Sequence, residues 1–285
     1  MAFITGAARG QGQSHAVRFA EEGADIIAVD LCAQIDSVAY PMATPADLEE
    51  TVNLVEKTGR RIVAEQANVR KFEKLKAIVA KGVSKLSRID FVLANAGILS
   101  MIGEKGQETS AFADAVDVML TGVYYTIEAA LPALLDHGEG EAIVITSSIA
   151  GLTGMHAQFS MKNPGAVGYL AAKHGVVGLM RGYANTLAQK NIRVNTVHPS
   201  GTAPDDRQRT DAPAIGRRAG VPVGVREHAS GSIHRSQRYQ RGDGVSMRSL
   251  GPLRHRYHPA GRCRIYRQVV GSLPRLVSTL SGIVT

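Results

Sequence analysis

Three side chains in this sequence have types and spacing that suit proton chemistry at an alcohol oxygen. Tyr169 and Lys173 stand four apart in Y-L-A-A-K, and on a helix that spacing stacks two side chains on one face. An ammonium beside a phenol stabilises the phenolate, so Tyr169 reads as an acid/base able to move a hydroxyl proton near neutral pH. Ser148, in T-S-S-I-A-G, offers a hydroxyl donor that would polarise a substrate oxygen. Spacing alone is weak evidence, and the reading gains weight from the elements that must bring these groups together.

The chain begins with a short apolar strand at Phe3 and Ile4 that breaks into T-G-A-A-R-G-Q-G and then a helix. Gly6, Gly10 and Gly12 let the backbone approach a pyrophosphate, whose charge suits a helix N-terminus. A second strand, 25–30, ends on Asp30, placed to accept from the ribose hydroxyls of a dinucleotide. Asp30 would repel a 2′-phosphate and favours NAD over NADP, whereas Arg9 is a basic counter-signal in the turn. The connection 31–45 is long for its setting, and its Ile35, Val38, Tyr40 and Met42 suggest a packed flap beside the cofactor. A helix over 46–57, bounded by Thr44 or Thr58, and a strand over 61–65 lead to Asn68 and Val69, where an adenine ring would lie.

A helix over 71–86 and a strand over 90–94 follow, ending in Asn95, Ala96 and Gly97, small enough for a flat cofactor to lie against the backbone. Next come a helix over 112–135, a strand over 142–146 that delivers Ser147 and Ser148, the Tyr169 helix, and a strand over 192–197. The alternation β-α-β-α-β-α-β-α-β-α-β describes a Rossmann-type doubly wound parallel sheet with helices on both faces. Ligands of such sheets bind outside the carboxyl ends of the strands, where all the singled-out residues fall.

Composition bounds the setting. No run of 18 uncharged apolar residues occurs, so no membrane span is expected. Two cysteines, Cys32 and Cys263, and the lack of a signal-peptide pattern suit a reducing cytoplasm. The net charge of +8 is unevenly divided: residues 1–201 hold 18 basic and 20 acidic side chains, and residues 202–285 hold 15 Arg, no Lys and 5 acids.

Taken together, T-G-A-A-R-G-Q-G, Asp30, N-A-G, S-S-I-A-G and Y-L-A-A-K over residues 2–201 resemble the short-chain dehydrogenase/reductase (SDR) family. The long 31–45 connection and A-A-K-H-G-V-V-G-L-M-R are similar to its mycobacterial carveol-dehydrogenase-like, mycofactocin-coupled branch. The resemblance implies an NAD-dependent oxidoreductase passing a hydride between NAD(H) and a secondary alcohol or ketone, small and apolar. It implies Tyr169 as acid/base, Lys173 binding the nicotinamide ribose and lowering the Tyr169 pKa, and Ser148 orienting the substrate oxygen. Gly6, Arg9, Gly10, Gly12, Asp30, Asn68, Val69, Asn95, Ala96, Gly97, Tyr169 and Lys173 would hold the cofactor, with no metal. It also implies a cofactor held under the extra loop and reoxidised by an external, mycofactocin-type redox partner. A homo-oligomer built on the helices containing 112–135 and 168–189 is implied as well.

Three departures set further expectations. The family's N-x-x-G, whose Asn helps hold a relay water near the lysine, reads M-L-T-G here. Met119 cannot donate a hydrogen bond, which predicts reduced turnover. The usual Asp before Val69 is Asn68, whose amide can still accept from adenine. Finally, residues 1–201 form the NAD-binding catalytic domain, whereas 202–285 is an Arg-rich tail without sustained periodicity. The expectation is an out-of-frame, largely disordered tail and a missing seventh strand. A solvated tail and a basic arm for nucleic acid are the rival readings, the last disfavoured because the tail lacks Lys and any nucleic-acid motif. The rival function is a catalytically impaired NAD-binding protein or a nonfunctional product.

Overall fold

The structure is a computed structural model that describes residues 1–154 and 162–200. The expectations for residues 202–285, including frame disruption, disorder and the fate of a seventh strand, lie outside the described residues.

Six parallel strands form one sheet in the order β3-β2-β1-β4-β5-β6. They are β1 (Ala2–Thr5), β2 (Ile26–Asp30), β3 (Ile62–Gln66), β4 (Phe91–Ala94), β5 (Ala142–Thr146) and β6 (Arg193–Val197). Apolar residues run almost unbroken along β1 and β2, as strands covered on both faces require. Phe3 and Ile27 face a core shared with α3 (Phe72–Leu86), α4 (Thr109–Val116), α5 (Gly122–Leu135) and α6 (Pro164–Leu187). Ile4, Ile26 and Ala28 face the opposite core with α1 (Gly10–Glu21) and α2 (Pro45–Glu56). The order reverses between β1 and β4, and in sheets of this kind ligands bind at that point, outside the carboxyl ends of the strands.

Local chemistry explains where the helices begin. Thr44 caps α2 through a capping box, its hydroxyl accepting from Asp47 N while Asp47 Oδ2 accepts from Thr44 N at 2.8 Å, and Pro45 occupies the first turn. Asn163 caps α6, its Oδ1 accepting from Ala166 N at 2.7 Å ahead of Pro164. This start lies four residues before the expected Gly168, because Asn-Pro is itself a cap and first-turn signal.

The expected helix over 112–135 is three pieces: α4, a π turn (Asp117–Thr121) and α5. The whole run Thr109–Leu135 is long and apolar enough to cross a membrane by length and composition, yet half of its apolar stretch is buried in this fold. Packing against α3 and α6 accounts for that apolarity.

Candidate active site

The glycine turn is shaped by two close approaches. A Cβ on Gly12 would stand 1.9 Å from Gly6 O, and one on Gly6, whose φ is +69°, would stand 2.8 Å from Ala96 Cα. Neither position admits a side chain without moving backbone. The turn therefore lies directly against the N-A-G segment, and Asn95 Nδ2 donates to Thr5 O and Gly6 O at 3.2 and 3.3 Å. Gly10, with φ +56°, has open space where its Cβ would be. Arg9 makes no side-chain cap on α1, and the first turn carries no acid. The amides of that turn need acceptors, so the cradle fits the diphosphate of a dinucleotide.

Asp30 ends β2 beside this turn. Its Oδ2 accepts from Ala8 N at 2.9 Å and its Oδ1 from Cys32 N at 3.2 Å, so the carboxylate also fixes the turn it faces. The Arg9 guanidinium lies 5.9 Å from the centre of the Tyr40 ring. Tyr40 belongs to residues 31–44, a strap in which Ile35 and Val38 are buried, as the packed-flap reading requires. The Tyr40 oxygen accepts from Leu99 N at 2.9 Å. Burial pushes the Tyr40 phenol up, while the Leu99 N–H and Arg9 oppose the shift and Tyr169 adds to it. The strap thus spans from the glycine turn to the neighbourhood of Tyr169.

A second anchor ties the strap down. Ser37 Oγ donates to Asp114 Oδ2 at 2.6 Å, and Arg70 Nη1 donates to Asp114 Oδ1 at 2.7 Å. Arg70 also changes the reading of Asn68. Asn68 Oδ1 accepts from Arg70 N and Nε at 3.0 and 3.1 Å, so the amide oxygen expected to meet adenine already holds two donors. Val69 is buried, and a Cβ on Gly122 would stand 2.6 Å from its Cγ2.

At the other end of the crevice, β5 and α6 converge. Ser148 is extended, with φ −166° and ψ 165°, and its Oγ accepts from Ala150 N at 3.2 Å. Its side chain is close enough to Tyr169 to favour the phenolate. Lys173 is 4% exposed and its Nζ donates to Thr146 O at 2.8 Å. An ammonium has three donors, and this bond uses one. Thr146 Oγ1 donates to Asn95 Oδ1 at 3.1 Å, which links Lys173 through Thr146 and Asn95 to the glycine turn. Tyr169, Lys173, Ser148, Asn95, Gly6 and Gly12 therefore belong to one connected cluster, while Asn68 and Val69 border the crevice near Arg70.

The electrostatics differ from the sequence expectation in one respect. Burial pushes the Tyr169 phenol up, and the Ser148 hydrogen bond only partly opposes this. Burial also pulls the Lys173 ammonium from 10.5 down to about 8. The Lys173 Nζ lies 5.7 Å from the Tyr169 ring centre, and desolvation of the phenol outweighs the opposing effect of Ser148.

Met119, at the position expected to weaken turnover, lies in the π turn and is 1% exposed. A Cβ on Gly97 would stand 3.6 Å from its sulfur, so the thioether packs over the N-A-G segment. Residues that sequence reasoning passed over include Thr146, which serves Lys173 through its backbone and Asn95 through its hydroxyl, and Arg70. A backbone acceptor leaves no trace in residue type, whereas an Arg two residues beyond an Asn is a readable local pair.

Comparison with known proteins places these features in a family. A family profile described as short chain dehydrogenase matches residues 1–214. An uncharacterized oxidoreductase of Mycobacterium tuberculosis is 53% identical over 202 residues, covering 70% of this chain and 71% of the relative. A (−)-trans-carveol dehydrogenase of Rhodococcus erythropolis is 46% identical over 201 residues, covering 70% of each chain. Among solved structures, carveol dehydrogenase from Mycobacterium avium in complex with NAD aligns with a TM-score of 0.63 at 48% identity. That match covers 70% of this chain and 69% of the other.

Proposed function

The chain belongs to the short-chain dehydrogenase family, and from that premise we propose that it interconverts a small, apolar secondary alcohol and its ketone with Ser148, Tyr169 and Lys173 as the reacting set. The protein is an NAD-dependent oxidoreductase. The observation that supports the finer reading is a buried Lys173 whose Nζ lies 5.7 Å from the Tyr169 ring centre, with Ser148 close enough to act on the phenol.

NAD, when bound, supplies the acceptor for the hydride leaving the carbinol carbon. The chain's own residues do the rest. Gly6, Gly10 and Gly12 with the first turn of α1 receive the diphosphate, and Asp30 the adenine-side ribose, while Arg9 and Tyr40 close the strap over them. Asn95, Ala96 and Gly97 offer a flat bed, with Val69 and Asn68 bordering the adenine end. Ser148 Oγ orients the substrate oxygen, and Tyr169 takes or returns its proton. The free donors of Lys173 hold the other ribose and bring positive charge toward the phenol. Its attraction for a phenolate at Tyr169 grows as ligand excludes water.

The apolar alcohol is argued from Ile149 and Leu152, which follow Ser148 in the chain and are 41% and 49% exposed, and from the carveol dehydrogenases among the relatives. A homo-oligomer belongs to the same proposal: Phe112, Tyr124, Leu135 and Val167 expose apolar surface on α4, α5 and α6. So do a cytoplasmic setting and an external redox partner that reoxidises cofactor retained beneath the strap.

The test is to mix purified protein and NAD with a cyclic terpene alcohol and follow NADH formation in a single turnover. Stoichiometric reduction is expected. Bound NAD without reduction by any cyclic secondary alcohol would favour a cofactor-binding protein in which Met119 has impaired the chemistry.

A further inference from the structure

β6 runs alongside β5 to the edge of the site, and the two segments stay fastened beyond the strands themselves. Ser147 N donates to Val197 O at 2.9 Å, and Ile149 N donates to Pro199 O at 3.2 Å. Between these two backbone bonds lies the carbonyl of Ser148. It accepts from Gly151 N at 2.9 Å within its own turn, and from the β6 side it meets a side chain: His198 Nδ1 lies 2.8 Å from Ser148 O. The other ring nitrogen, Nε2, lies 2.8 Å from Thr196 Oγ1. A carbonyl only accepts, so Nδ1 carries the proton; in the neutral ring Nε2 then accepts from the Thr196 hydroxyl. Both ring nitrogens are used, and the tautomer is set by the partners.

We propose that His198 is a positioning residue for the reaction: as the Nδ1–H tautomer it holds the Ser148 backbone, and through it the direction of the Ser148 hydroxyl toward Tyr169 and the substrate oxygen. The role rests on the function proposed above for Ser148. It differs from a general packing role because it requires a donor at one defined point. Ser147 and Ile149 each have a backbone bond to the β6 segment, and among the described residues the contact from that segment to the Ser148 carbonyl is the His198 ring, which adds to the Gly151 N bond. Among the described residues Lys173, on α6, is a charged group that acts on His198; burial and Lys173 both disfavour the imidazolium, and the Ser148 carbonyl favours it, with a net shift below the usual histidine value. The neutral ring is therefore the working form at physiological pH.

The experiment compares wild type, His198→Ala, His198→Asn and Tyr169→Phe in the NAD-saturated protein, together with imidazole 15N spectra of the unliganded protein. His198→Asn keeps a donor near the Nδ1 position, and its spectrum identifies the His198 signals among the nine histidines. The expected result is a kcat about 10- to 100-fold lower in His198→Ala with KM and NAD affinity nearly unchanged. Most of that loss should be recovered in His198→Asn, and an Nδ1–H tautomer should appear in wild type at neutral pH. If His198→Ala does not fold, His198→Asn and the spectra decide. The proposal is overturned if His198→Ala keeps wild-type kcat while Tyr169→Phe is inactive, since the proposed function then stands and His198 does not serve it. It is equally overturned if His198→Asn is as slow as His198→Ala, or if the ring is the Nε2–H tautomer. A wild type without any alcohol-dependent NADH formation would remove the proposed function instead, and the tautomer would still decide whether His198 holds Ser148.

Discussion

The two ends of the sheet treat charge in opposite ways. At the amino end every named charge is matched. Asp25, 5% exposed, takes Arg60 at 2.7 Å and Arg61 at 2.6 Å, and Asp90 takes Arg88 and the Met1 amino group. Burial pushes the Asp25 carboxyl up, but the Arg61 hydrogen bonds and the Arg60 and Arg61 charges more than offset it and leave it below the usual carboxylate range. At the carboxyl end, Lys173 is more deeply buried than any of the arginines and rests on one carbonyl, and burial pulls it down to about 8. At the first end the carboxylates are paired by the protein's own cations. The second keeps donors and a perturbed phenol unspent, which is the condition for binding and turning over a ligand.

Several substitutions would break or sharpen that contrast. Lys173→Met should have the largest effect, lowering kcat by about 100- to 1000-fold while leaving the unliganded fold intact. It should also change the pH dependence of stability. The folded Lys173 releases its proton near 8 and the unfolded one near 10.5, so between those values the unfolded state holds more protons and stability rises with pH. Thermal melts of unliganded wild type should climb through that window, and those of Lys173→Met should lack this contribution.

At the opposite end, Asp25→Ala leaves two guanidinium groups without their shared acceptor. Because both arginines are well exposed, the expected loss is about 2–3 kcal/mol, read from denaturant midpoints, with kcat nearly unchanged. A large loss of kcat at full stability would show that the two ends do not divide their roles. The smallest effect belongs to Met119→Asn, which restores a polar side chain over Gly97 and should raise kcat several-fold in steady-state assays. No gain would count against the expectation that the thioether slows proton relay.

Much of this contrast was legible from residue types. Strand ends place ligand-binding groups by topology alone, so the glycine turn, Asp30, Asn95 and Ser148 were readable once the β-α alternation was recognised. The Tyr169–Lys173 spacing carried directly into α6. Other features were hidden for physical reasons. A π turn keeps the apolar pattern of the helix that contains it, so 112–135 read as continuous. The fate of the Asn68 oxygen depended on a rotamer of Arg70, and the backbone acceptors of Lys173 and His198 depended on tertiary approach. The sign of the Tyr169 shift required the depth of burial, which spacing does not report. The Asn163–Pro164 helix start was present in the sequence as a cap and was passed over.

The most direct test of the active-site assignment is to measure NAD affinity and single-turnover alcohol oxidation side by side in wild type and Tyr169→Phe. The phenyl ring preserves the packing and removes only the oxygen. NAD binding within a few-fold of wild type, with NADH formation reduced by about 100-fold or more, is the predicted result. Undiminished NADH formation in Tyr169→Phe would contradict it, because the proton would then be moving through another group.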